Sequence, residues 1–314
     1  MLTCDRLSYP KSHSKSRYWL GLLSLALVTL SLGCSNSSAQ TSGTAPSELE
    51  AQVQLAQQSD AINSDDGISN EETLEAITSN QVIYLGETHS SEGDHAAQLE
   101  IIQALGAQQD IAIGLEMFQR PFQPVLDRYL ADEISEEALI EQSEYETRWG
   151  YDWELYAPII RYAKENSIPL IALNTPAEVT RQVATDGLDS LSGDALTYIP
   201  PVDEIDTTDE AYKESISEVF NAHGGAGHSL NFENFFAAQV LWDETMAEQI
   251  VSQIEADPTR QVIALVGEGH IAYDYGIPNR VERRLPEIEQ ASVRLIPADQ
   301  PTDADFADFS WITE

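Results

Sequence analysis

The chain has 314 residues with 16 basic and 53 acidic side chains, which gives a formal net charge of −37 at pH 7. Such a charge repels polyanions and argues against nucleic acid and anionic lipid as partners. Only two cysteines, Cys4 and Cys34, are present, so a fold held by several disulfides is excluded and the chain must rely on a hydrophobic core.

Residues 1–33 have the composition of a lipoprotein-type signal peptide. Lys11, Lys15 and Arg17 form a basic region before Trp19–Leu32, an uncharged apolar stretch that is short for a membrane span. The stretch ends at Gly33-Cys34, which resembles a bacterial lipoprotein cleavage site and predicts lipidation of Cys34. We therefore expect an exported protein, a periplasmic or outer-membrane lipoprotein of a bacterium, that contacts the membrane through its lipid anchor only. The alternatives are an ordinary signal peptide and an uncleaved anchor helix.

The rest of the chain divides by composition into three parts. Residues 34–67 are rich in Ser and Gln and predict a polar tether. Residues 68–297 predict a folded domain, which opens with a helix capped by Ser69 and Glu72. Residues 298–314 predict an acidic tail.

Short apolar runs alternate with helical patterns through the domain. The predicted strands are Gln81–Gly86, Ile111–Leu115, Ile168–Leu173, Gln261–Val266 and Ser292–Ile296. Continuous apolar runs of this length are typical of strands buried on both faces of a parallel sheet. The prediction is an α/β fold with a mainly parallel central sheet flanked by helices, and with a helical insertion between strands 2 and 3.

Acidic residues and histidines follow three of these strands where each strand ends. Glu87 and His89 follow the first strand, Glu116 follows the second, and Glu268 and His270 follow the fourth. Ligands of parallel sheets bind beyond the carboxyl ends of the strands, so these side chains are expected to meet there. A carboxylate beside an imidazole suits metal ligation or proton transfer, and it also occurs in helix caps and loop hydrogen bonds.

Two further patterns bear on this site. Arg120 and Arg148 lie in the aromatic-rich insertion with Tyr151, which suits a flat ligand bearing carboxylates, although part of that insertion also reads as a helical core stripe. Gln239 and Asp243 fall on the apolar stripe of a long helix and are expected to reach a polar network. His95 is interpreted as a packing or surface residue, and the loop His223–His228 as a flexible segment.

Four stretches together resemble one family. They are Tyr84–His89, Gly114–Phe118, Ala238–Ala247 and Gly267–His270 with Tyr275–Pro278. The chain resembles the ChaN-like haem-binding lipoproteins, in the superfamily that also holds Tiki, TraB and erythromycin-esterase-like proteins. The resemblance implies a role in iron acquisition or haem handling, a tyrosinate ligand to haem iron, and dimerisation that can bring two haems face to face. Four tyrosines are candidates for that ligand: Tyr145, Tyr151, Tyr156 and Tyr275.

Two functions follow from the resemblance. The favoured one is haem binding at the carboxyl edge of the sheet without classical turnover, and the residues expected to contact haem are His89, His270, Tyr275, Arg120, Arg148 and Tyr151. The alternative is a metal-dependent hydrolase of the Tiki-like type, with a divalent metal ion held by Glu87, His89, Glu116 and His270. Haem is thus the expected partner, with a homodimer implied by the family.

Overall fold

A computed structural model describes residues 68–222 and 231–314. The predicted signal peptide, Cys34, the tether and the loop His223–His228 lie outside the described residues. The strands are β1 (Val82–Glu87), β2 (Ile111–Gln119), β3 (Leu170–Asn174), β4 (Gln261–Gly267), β5 (Gln290–Pro297) and β6 (Phe309–Thr313). The helices are α1 (Asn70–Ile77), α2 (Glu92–Gly106), α3 (Gln123–Leu130), α4 (Glu136–Gln142), α5 (Tyr145–Arg148), α6 (Trp153–Glu165), α7 (Ala177–Asp186), α8 (Glu210–Ala222), α9 (Phe232–Ala256) and α10 (Ile277–Arg284).

All six strands form one parallel sheet in the order β3-β2-β4-β1-β5-β6. The strand β4 lies between β1 and β2, because Val262 pairs with Val82 on one side and with Ala112 on the other. Helices α3 to α6 make up the insertion between β2 and β3. The predicted α/β fold is therefore confirmed, and the parallel arrangement brings the carboxyl ends of β1, β2 and β4 to one edge.

Alternate residues of each strand contact different helices, as the pleat requires. Ile83 and Leu115 belong to a core cluster that includes residues of α2 and α6. Val82 and Ala264 face the opposite side, where they pack with α9 residues such as Ile250. Helices α7, α8 and the first half of α9 form a third cluster of their own. The residues that support the functional site described below come from this third cluster and from helices α2 and α6.

Two boundaries differ from the sequence prediction. The segment 298–314 is not only an acidic tail, because β6 pairs in parallel with β5 and buries Trp311. Alternating apolar residues at the end of an acidic segment are enough to add an edge strand. The strand β2 continues past Leu115 to Gln119 through an irregularity in its pairing with β3, so Glu116 lies inside the strand.

The first helix confirms its predicted cap. The side chain of Ser69 accepts a hydrogen bond from the backbone of Glu72, whose carboxylate accepts one from the backbone of Ser69. Within the part of the chain that the structure describes, no helix is both long and apolar enough to cross a membrane.

Candidate functional site

The first half of the site is built around the carboxylate of Glu87, the last residue of β1. Its Oε1 lies 2.8 Å from Nδ1 of His89 and accepts a hydrogen bond of 2.6 Å from the hydroxyl of Tyr156 on α6. Its Oε2 accepts a hydrogen bond of 2.6 Å from the side-chain amide of Gln98 on α2. Glu87 is buried, so these donors replace the water that its charge would otherwise hold.

His95 supports the same half from α2. Its Nε2 lies 3.1 Å from the carbonyl oxygen of His89, and its Nδ1 lies 3.2 Å from Oε1 of Gln98. The ring of His95 also packs edge-on against Tyr156, with the ring centroids 4.3 Å apart. His95 is thus buried in the network behind the site, which agrees with its interpretation as a packing residue but gives it polar partners that the sequence did not indicate.

The second half of the site is built around His270, in the turn after β4. Its Nδ1 lies 2.6 Å from Oδ1 of Asp243 on α9 and 3.5 Å from the side-chain amide nitrogen of Gln239. The other oxygen of Asp243 accepts a hydrogen bond of 2.6 Å from the hydroxyl of Tyr212 on α8. Asp243 is fully buried. The expectation that Gln239 and Asp243 reach a polar network is therefore confirmed.

Glu116 lies between the two halves. Its Oε1 lies 3.4 Å from Nε2 of His270, and its Oε2 accepts a hydrogen bond of 2.7 Å from the backbone of Gly267. A Cβ atom at Gly267 would lie 2.9 Å from Cε1 of His89, so only glycine lets the His89 ring pack against this backbone. Four of the five residues predicted from the strand ends, Glu87, His89, Glu116 and His270, thus meet. Glu268 is the exception, because its carboxylate pairs with Arg294 of β5 at 2.7 Å.

The charges of the central groups stabilise each other. Burial alone would lower the pKa of His270, but the carboxylates of Glu116 and Asp243 raise it to about 10. Burial alone would raise the pKa of Glu116, but His270, with help from His89, lowers it to about 2. At neutral pH the centre therefore holds a Glu116 carboxylate against a His270 imidazolium.

His89 is the more accessible imidazole. A quarter of its side chain is exposed, compared with a tenth for His270. Burial alone would lower the pKa of His89, but the hydrogen bond to Glu87 and the charge of Glu116 outweigh burial and raise it. Its ring packs against Trp149 at 4.7 Å and Tyr151 at 5.0 Å between centroids. The site therefore opens to solvent past His89 and an aromatic wall.

The remaining predicted contact residues have partners of their own. Arg148 pairs with Glu144 and Glu178 at the surface, and Arg120 pairs with Glu248 at 2.6 Å. Tyr275 is half-buried, and its ring lies 6.2 Å from that of Tyr212. Both arginines that were expected to meet ligand carboxylates thus already neutralise protein carboxylates.

The metal arrangement expected in the alternative interpretation has no counterpart in residues 68–222 and 231–314, where no group of three or more His, Cys, Asp or Glu side chains is placed to hold a metal ion. The physical reason lies in the hydrogen bonds. The carboxylate oxygens of Glu87 and Glu116 and Nδ1 of His270 already face protein partners.

Comparisons with known proteins agree with this fold. The family model described as "Haem-binding uptake, Tiki superfamily, ChaN" matches residues 73–281. A structure titled for cofacial haem binding to ChaN of Campylobacter jejuni superposes with a TM-score of 0.62 at 19% identity, covering 79% of this chain and 92% of that one. At this identity the likeness shows the fold alone. An erythromycin esterase mutant, EreC, covers 72% of each chain at 15% identity with a TM-score of 0.43, too low to carry an argument.

One curated protein is also similar. The chloroplastic protein RETICULATA-RELATED 5 of Arabidopsis thaliana is 26% identical in an alignment of 260 positions that covers 76% of this chain. The match covers 34% of the plant protein, so this chain spans about a third of the length of the curated relative it matches.

Proposed function

Because this chain belongs to the family of haem-binding uptake proteins of the ChaN type, in the Tiki superfamily, we propose that it binds haem at the carboxyl edge of its sheet. The observation that carries the position is the exposed aromatic surface beside the site. Tyr151 is 39% exposed, and its ring packs with those of Trp149 and His89. A flat porphyrin can stack on such a surface, which offers both a phenol and an imidazole to iron.

Accessibility favours Tyr151 as the iron ligand among the four candidate tyrosines. Tyr145 and Tyr156 are fully buried, and the hydroxyl of Tyr156 already donates to Glu87. Tyr275 is half-buried and is the second choice. A phenolate ligand at Tyr151 would stabilise ferric iron, as tyrosine ligation does in haem proteins.

The haem propionates would meet an acidic protein. Arg148 and Arg120, the two arginines expected to meet the propionates, are both paired with carboxylates. Binding must then proceed against the net charge of −37. Since salt screens repulsion between like charges, we expect the affinity for haem to rise with ionic strength.

A titration of the full chain in mild detergent with ferric haem tests this function. A saturable Soret shift with phenolate-type charge-transfer bands is expected, and Tyr151→Phe should remove those bands. The matched control is Tyr162→Phe, because the Tyr162 hydroxyl lies near Gly106 and Ile111 at the opposite edge of the sheet. An absorption spectrum that does not saturate would reject haem binding. Bands retained in Tyr151→Phe would move the ligand to Tyr275.

Export as a lipoprotein is part of the same proposal and rests on the sequence of residues 1–34. Lipidation at Cys34 predicts a mass increase and partitioning into detergent when the chain is produced in a bacterium. A Cys34→Ser variant should lack both. An unmodified Cys34 in the natural chain would reject the anchor without affecting haem binding by the domain.

Hydrolysis is a second candidate, and the protonation of the site favours it. Nδ1 of His89 faces Glu87, which leaves Nε2 at the Gly267 backbone close to Glu116. When this nitrogen is deprotonated it can accept a proton from water or from a substrate hydroxyl. The buried His270 imidazolium stands beside it and can stabilise negative charge that develops on a substrate oxygen.

The hydrogen bonds around His89 favour a hydrolysis in which this imidazole transfers the proton. The test is hydrolysis of p-nitrophenyl esters by the full chain with and without a chelator. His89→Gln should lower the rate by about 100-fold, whereas Glu248→Gln, a surface control, should not. Loss of activity with the chelator would instead support the metal-dependent form, and equal rates in all variants would reject the hydrolase.

A further inference from the structure

Both imidazoles of the site sit in the same kind of chain of three residues. On one side the order is Tyr156, Glu87, His89, and on the other it is Tyr212, Asp243, His270. In both chains the tyrosine hydroxyl donates to the carboxylate over 2.6 Å, and the carboxylate faces Nδ1 of the histidine. The two chains come from different helices and meet at Glu116.

The direction of these hydrogen bonds follows from burial. Tyr156 and Tyr212 are buried, and burial together with the neighbouring carboxylates raises the pKa of both phenols. Each phenol therefore keeps its proton and donates a hydrogen bond to the neighbouring carboxylate oxygen. A buried carboxylate with a short charged hydrogen bond has little freedom to rotate, so the atom that faces its histidine is fixed.

We infer that Tyr156 and Tyr212 are positioning residues, each of which fixes the orientation of one carboxylate. The fixed carboxylate holds Nδ1 of its histidine, and Nε2 of that imidazole therefore faces the centre of the site. The inference rests on the proposed function only in taking His89 and His270 as the functional imidazoles of the site. Neither tyrosine was predicted to have this role, because the sequence shows only their aromatic rings.

A third tyrosine separates this role from simple packing. The rings of Tyr145 and Tyr156 lie 6.4 Å apart in one cluster, and both side chains are fully buried. The hydroxyl of Tyr145 has no hydrogen-bond partner in the described part of the chain. The layer can thus bury a phenol whose hydroxyl positions nothing, and Tyr145→Phe is the matched control.

The experiment is ¹⁵N NMR of the full chain in mild detergent, labelled at its six histidines. Peaks of His89 and His270 are assigned by His89→Gln and His270→Gln. Tyr156→Phe should move the Nδ1 resonances of His89 and not those of His270, and Tyr212→Phe should move those of His270 and not those of His89. The carboxylate that has lost its donor holds the Nδ1 proton more tightly, so the shift should be downfield for that proton. Tyr145→Phe should move neither.

Two results would overturn the inference. One is that Tyr156→Phe and Tyr212→Phe shift the imidazole resonances no more than the control Tyr145→Phe does. The other is that either variant moves both histidines alike, as a general loosening would. If a variant does not fold, the unsubstituted chain with ¹³C at tyrosine Cζ gives the answer. The Tyr156 and Tyr212 signals should follow titration of His89 and His270, respectively, and signals that do not change would reject the inference.

The readout does not require haem or turnover. Imidazole shifts without any haem binding would keep the positioning role and reject the proposed function. A saturable haem titration with unchanged imidazole resonances would support the proposed function and reject the positioning role.

Discussion

The two halves of the site differ in how they are buried and in what stands behind them. The Glu87–His89 half is backed by α2 and α6, which belong to a large core cluster over the central strands. The Asp243–His270 half is backed by α8 and α9, where the smaller third cluster packs. His89 is partly exposed, whereas His270 is buried between two carboxylates. The first half is thus suited to exchange a proton or bind a ligand, and the second to hold a fixed charge.

The largest effect is expected where the two halves meet. In Glu116→Gln the buried His270 loses one of its two carboxylate partners, and the backbone N–H of Gly267 loses its charged acceptor. Breaking a buried ion pair should lower the free energy of unfolding by about 3 kcal/mol. Urea denaturation at pH 7 measures this. Glu248→Gln breaks the surface pair with Arg120 and should cost under about 1 kcal/mol. Equal losses would mean that the centre is no more than a surface pair.

The pH dependence of stability tests the fixed charge. The folded pKa of His270, about 10, lies above its ordinary value of 6.5. This group therefore stabilises the fold fully below pH 6.5, and the contribution is lost as the pH rises toward 10. The slope should be at most about 1.4 kcal/mol per pH unit for one proton. Denaturation between pH 6 and 10 measures it.

A control for this slope comes from the other half. His89→Gln removes the partly exposed imidazole and should keep most of the decline above pH 6.5. A flat profile in the unsubstituted chain, or a decline that disappears in His89→Gln, would contradict the assignment to His270.

Two glutamines sharpen the comparison between the halves. Gln98 is fully buried and donates to the Glu87 carboxylate at 2.6 Å, whereas Gln239 approaches His270 only at 3.5 Å. Gln98→Met should cost about 2 kcal/mol, as expected for a hydrogen bond to a buried charge, and Gln239→Met less than about 1 kcal/mol. Thermal or urea unfolding of the pair gives the ratio. A larger loss in Gln239→Met than in Gln98→Met would contradict this expectation.

The smallest effect is expected from added bulk at the contact between the halves. Gly267→Ala would place a methyl group 2.9 Å from the His89 ring, which must move away. A cost of about 1 kcal/mol and a changed His89 resonance are expected. Gly269→Ala is the control, because nothing lies within 4 Å of its added Cβ. If both variants behave alike, His89 does not pack on Gly267.

The sequence was sufficient to predict the sheet and the edge at which the site lies. Buried parallel strands leave continuous apolar runs, and Glu87, Glu116 and His270 follow such runs directly. Asp243 was detectable because a carboxylate on an apolar helix stripe needs a partner. Tyr156 and Tyr212 were not detectable, since a buried phenol looks like core until the atom that its hydroxyl meets is known.

Other differences have equally local causes. The strand β6 was missed because its five residues follow a segment with the composition of an acidic tail. The pairs Arg120–Glu248 and Arg148–Glu178 could not be read from sequence, because the two glutamates lie on helices beyond β3. Scarce cations in a chain of 53 acids have many candidate partners, and only packing selects among them.

The position of β4 also has a consequence for the order in which the protein can assemble. Strands β1 and β2 do not touch each other in the sheet, and the late segment Gln261–Gly267 joins them. A nascent chain that ends before Gln261 can form the β2–β3 pair but leaves β1 without a neighbour, because β4 and β5 come later in the chain. The long-range pairing of β4 with β1 and β2 is expected to be slow. The strand β4 and the turn after it also bring Gly267 and His270 to Glu116. The segment that joins the central strands therefore also completes the site, and a chain terminated before Gln261 would have neither the joined sheet nor the site.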